Sequence, residues 1–148
     1  MKLNRLFATA FVIILLCASH AGANAAEPEE RFALTPALLA KLKAATPDLK
    51  KLEKDEEDQD DGKSKNLSAT DFMKVLDKEP RAKAVLAKHG ISTREFAMST
   101  YAMMHAGMFV ALEPTMNKKQ AAEMLGKFTS EQRANVALLR KTDLSTFK

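Results

Sequence analysis

The chain has 148 residues, a formal net charge of +4 and one cysteine. That length holds one domain with a sizeable core, and a lone cysteine excludes an intrachain disulfide. Modest charge and few aromatics give no electrostatic footprint for nucleic acid, and no Gly-rich phosphate loop, H-E-x-x-H or G-x-S-x-G pattern occurs that would name a reaction.

Lys2 and Arg5 precede an apolar run from Leu6 to Ala18, and Ala23-Asn24-Ala25 fits the A-x-A cleavage pattern. These features predict a secretory signal peptide over residues 1–25 and a single helical domain over 26–148. The apolar run is shorter than the roughly 20 residues a bilayer-spanning helix needs, so no transmembrane segment is expected after cleavage. Leu16 stands before Cys17, where lipoprotein processing needs a small residue. Cleavage takes away Lys2, Arg5 and Cys17, which lowers the net charge by two and leaves no thiolate for a nucleophile, a metal site or a haem linkage. The expected location is periplasmic or secreted, in a bacterium.

Glu27 to Arg31 reads as a flexible polar lead-in. Thr35 and Pro36 then mark a helix start, with Thr35 as N-cap and Pro36 in the first turn. Leu38, Leu42, Ala45, Leu49 and Leu52 recur at steps of four and three, which is one helical stripe. Pro47 falls inside it and predicts a kink or a break, with Thr46 capping the restart. Seven of the nine residues from Glu53 to Asp61 are acidic, and residues 53–66 read as a flexible acidic linker. A calcium loop there fails: with Gly62 sixth, Gln59 falls third and Ser68 twelfth, so the bidentate glutamate is missing.

Ser68 and Asp71 resemble a capping box that opens a helix carrying Phe72, Met73 and Leu76. Pro80 starts a short helix that ends at His89-Gly90, with Gly90 as a left-handed cap. Ser92 and Glu95 form a full capping box flanked by an Ile91–Phe96 staple, and the helix they open should run from Thr93 to Leu112. Another helix covers Lys118 to Leu125, and Thr129 with Gln132 opens a last one to about Lys141. No stretch alternates with a period of two. The pattern is all-α: a small irregular helical bundle around a central buried helix at about 93–112.

On a helical wheel Thr93–Leu112 is apolar nearly all round, the mark of a buried helix. Its one polar strip runs from Glu95 and Ser99 through Ala102 and Ala106 to Glu113. Thr100, Met104, Gly107 and Ala111 share a side where small residues would admit another backbone closely. Met98, Met103, Met104 and Met108 read first as core, because methionine fills irregular gaps. The competing reading is a copper site of Met104, His105 and Met108, since thioethers and imidazole suit Cu(I). His89 reads as an ordinary helix-end residue.

The segment "RAKAVLAKHGISTREFAMSTYAMMHAGM", Arg81 to Met108, resembles a pattern in small exported helical proteins of proteobacteria with no assigned activity. "FTSEQR", Phe128 to Arg133, is similar to the LTxxQ motif of the Spy/CpxP group of periplasmic chaperones and metal-stress proteins, with Phe for Leu. "LTPAL", Leu34 to Leu38, shares the start of that motif but has Leu38 in the Gln position. That resemblance implies an all-helical protein of chaperone or metal-binding type.

The expected function is a non-catalytic periplasmic binding or interaction protein whose partner is an unidentified protein or small ligand, with no cofactor and no nucleic acid. A periplasmic stress protein, either a chaperone or a copper binder, is the alternative. The sequence leaves the oligomeric state open.

Overall fold

The computed structural model describes residues 28–54 and 67–147. The signal-peptide expectation and residues 55–66 of the expected acidic linker lie outside them. Among the described residues there are six α-helices and no strand, so the fold is an all-α bundle.

Helix α1 spans Pro36–Lys54. Thr35 Oγ1 accepts the Leu38 N–H at 3.1 Å, and Leu38, Leu42, Ala45, Leu49 and Leu52 are buried as one stripe, joined by Leu39. Pro47 does not break it. The proline takes the N–H that would have bonded the Lys43 carbonyl, but Pro47 and Lys43 are both exposed, so water can serve that carbonyl. The buried residues on either side carry the helix through. Thr46 caps nothing; its hydroxyl donates back to the Leu42 carbonyl at 2.9 Å.

Helix α2 spans Ala69–Asp77 and buries Ala69, Phe72 and Leu76. Ser68 Oγ accepts the Asp71 N–H at 3.1 Å, while the short Asp71 carboxylate meets the Ser68 hydroxyl at 2.9 Å. Helix α3, Pro80–Lys88, ends where Gly90 takes φ +65°, a left-handed conformation that costs glycine little. Ile91 N–H bonds Leu86 O and Gly90 N–H bonds Ala87 O, both at 2.9 Å, which makes a Schellman cap. Two polar clasps join α1 to α3: Lys41 Nζ donates to Gly90 O at 2.9 Å, and Asp48 Oδ2 meets Lys88 Nζ at 2.8 Å and His89 Nε2 at 3.0 Å.

Helix α4 spans Thr93–Leu112 and opens with the complete Ser92/Glu95 capping box. It is the hub of the bundle. Helices α2 and α3, the last helix, and the 3-10 turns Pro28–Arg31 and Glu113–Thr115 all pack on it. Helix α5, Lys118–Gly126, is peripheral and buries no residue; an Asn117/Gln120 capping box starts it. Helix α6, Ser130–Leu139, starts with the Thr129/Gln132 box and buries Asn135, Val136 and Leu139. It stops two residues before the expected Lys141.

The polar strip of α4 does not face water along its middle: Ser99, Ala102 and Ala106 are buried at 0, 5 and 2% exposure. Their small volume lets neighbouring elements come close, and Ser99 keeps its hydroxyl satisfied by donating to the Phe96 carbonyl at 3.0 Å. The side assigned to close backbone contact is open instead. Ala111 is exposed, and a Cβ on Gly107 would meet only a methyl of Leu139 at 4.0 Å.

The lead-in is also ordered where it is described. Pro28–Arg31 forms a 3-10 turn against α4 and α6. Asn135 Oδ1 accepts the Leu34 N–H, and its Nδ2 donates to the Phe32 carbonyl, each at 2.8 Å. Thr129 Oγ1 adds a bond to the Glu30 carbonyl at 2.7 Å. A buried amide with both ends used replaces the free tail that composition alone suggests.

Candidate functional site

The candidate residues lie on the second half of α4. At 100° per residue, Met104 and Met108 each fall about 160° from Ala106, the middle of the buried strip. Burying Ala102, Ala106 and Phe109 therefore turns both methionines outward. Met108 is four residues from Met104 and three from His105, so it neighbours both on the helix surface. Tyr101 holds the matching place one turn earlier. All four are half-buried.

The methionines thus divide. Met98 is buried, and Met73 and Met103 pack against the core. Met104 and Met108 are half-buried and outside the core cluster. The outward arc continues through Ala111 to Leu112, which is 45% exposed.

Tyr101 was not singled out from the sequence, although it is the one tyrosine and precedes both Met104 and His105 by a single turn. Burial pushes its hydroxyl above the usual phenol range, and the negative charges of Glu29 and Asp71 add to that. At neutral pH it is a neutral phenol that can donate a hydrogen bond.

The two histidines of the described chain differ. His89 is committed to the Asp48 carboxylate, which also takes Lys88 and, at 3.6 Å, Lys51. Bonds from Lys88 and then His89 hold the Asp48 carboxyl well below the usual carboxylate range. This cluster is an ion-pair clasp between α1 and α3. His105 makes no hydrogen bond or ion pair among the described residues, so its ring nitrogens are uncommitted there.

Among the described residues no group of three or more His, Cys, Asp or Glu side chains could hold a metal ion. A mainly apolar groove of about 220 Å³ opens between α1, at Pro36, Leu39 and Lys43, and the C-terminal residues Leu138, Thr142 and Phe147. That is below the usual range of about 300–1,000 Å³ for small-molecule pockets.

At the far end of α4, Arg140 forms a two-bond ion pair with Glu113, with Nε to Oε2 at 3.0 Å, and lies 5.8 Å above the Phe109 ring. Phe109 meets Phe128 edge-on at 5.6 Å between centroids. These contacts tie α4 to α6 and leave the outward arc clear of them.

No helix of the described residues is long and apolar enough to cross a membrane. The two strings that resemble chaperone motifs both serve as helix starts, with Thr35 and Thr129 as capping residues. The chain matches no family model, no curated protein and no solved structure at a significant level.

Proposed function

We propose that this chain is a non-catalytic exported binding protein, periplasmic or secreted, that presents the outward arc of α4 to its partner. One observation carries the reading. The central helix of the bundle leaves Met104, Met108, Ala111 and Leu112 outside the core while burying the small residues opposite. Flexible, polarizable methionine side chains on an open helix face suit adaptable binding. The export part of the reading rests on residues 1–25.

The test is site-specific photo-cross-linking in cells that make the protein. A photoreactive residue at 104 or 112 should give a discrete adduct, and one at the exposed Lys83 of α3 should not. Equal labelling from both helices, or none from α4, overturns the reading.

A periplasmic stress protein is the second reading. The half-buried Met104 and Met108 beside an uncommitted His105 favour its copper-binding form over its chaperone form.

A further inference from the structure

We propose that Met104, Met108 and His105 form a site for one soft monovalent metal ion, Cu(I), on the outward arc of α4; this rests on the reading of that arc as the binding face and names its ligand. Three observations converge. Met108 neighbours both other residues across one helical turn, so two thioethers and an imidazole share one patch of surface. Met104 and Met108 are half-buried and do not pack against the core cluster, whereas Met98 is buried and Met103 packs against that cluster. His105 has no hydrogen-bond or ion-pair partner among the described residues, whereas His89 is held by Asp48.

The donor set selects the ion. Thioethers are soft, neutral ligands that prefer Cu(I), and imidazole suits copper as well. Zn(II) and other harder divalent ions would lack the carboxylates or thiolates they bind best, since no such cluster exists among the described residues. No change of oxidation state is involved; the site holds the ion.

The probe is Cu(I) alone, kept reduced with ascorbate under anaerobic conditions and competed against bicinchoninate. The full chain carries Cys17→Ser, because a thiolate would outbid thioethers for Cu(I). This protein should take up one Cu(I) and ignore Zn(II). Met104→Leu with Met108→Leu should weaken Cu(I) binding by about tenfold or more, and so should His105→Ala. Leucine keeps the volume and apolarity of methionine, so the unfolding midpoint of the double variant should stay at the wild-type value. No uptake in the competition overturns the proposal. So does equal uptake by the double leucine variant, which would place the ion elsewhere. If Cu(I) is refused while cross-linking from 104 still yields an adduct, the metal falls and the binding face stands; copper uptake without any adduct gives the reverse result.

Discussion

Two largely apolar stretches of α4, residues 96–99 and 109–112, live in different surroundings. Phe96, Ala97, Met98 and Ser99 are buried all the way round. Past them only Ala102, Ala106 and Phe109 stay buried, and the helix ends with Ala111 and Leu112 exposed. Apolar composition is shared by both halves. The difference lies in what is packed around them: α2 at the Phe72–Phe96 contact, 6.1 Å between ring centroids, and α6 on one side only further along. A largely apolar helix can thus be core in one stretch and surface in another.

The contrast breaks most sharply with paired truncations. Phe96→Ala should cost about 3–5 kcal/mol, because a ring buried against Phe72 leaves a cavity. Leu112→Ala, at the exposed end, should stay within about 0.5 kcal/mol. Urea unfolding of both decides it, and similar losses would mean the two ends are equally enclosed.

Two adjacent residues sharpen it further. Ala106→Leu should overpack the buried strip and cost about 1–3 kcal/mol. Gly107→Ala should stabilise by about 0.5–1 kcal/mol, since mid-helix glycine is flexible in the unfolded chain and the nearest atom to its new methyl is 4.0 Å away. Melting temperatures should move in opposite directions. A loss at Gly107 would restore the close contact that the wheel alone suggests.

The smallest effect compares the α1–α3 clasp with the apolar core. The Asp48 carboxyl is depressed by Lys88 and His89, so its contribution is present at neutral pH and lost as pH falls below the ordinary carboxylate range. Asp48→Asn should flatten the acid side of the stability–pH curve and leave the depth of the core unchanged. An unaltered acid limb would show that the pair contributes nothing.

Helix ends were legible because capping is local chemistry. Ser92 with Glu95, Thr129 with Gln132, and Gly90 each declare a boundary within a few residues. Asn117 with Gln120 has the same spacing and the same role. The inward face of α4 was not legible. Ser99, Ala102 and Ala106 are selected for small volume at a close contact, and hydropathy reads small as weakly polar. Pro47 misleads in the opposite way, because its cost depends on whether the freed carbonyl meets water. Of the candidate site, the residues Met104, His105 and Met108 could be named from spacing, but their separation from Met98 and Met103 depends on which neighbours arrive, and no local pattern records that.

Asn135 sets an order of assembly. It bonds Phe32 and Leu34, 103 and 101 residues earlier in the chain. Closing so long a loop costs entropy that only late, distant contacts repay. The bonds that Asn135 makes with Phe32 and Leu34 can therefore form only after α6 has been made. A chain that emerges in sequence lacks this fastening of its leading segment until residue 135 has been added.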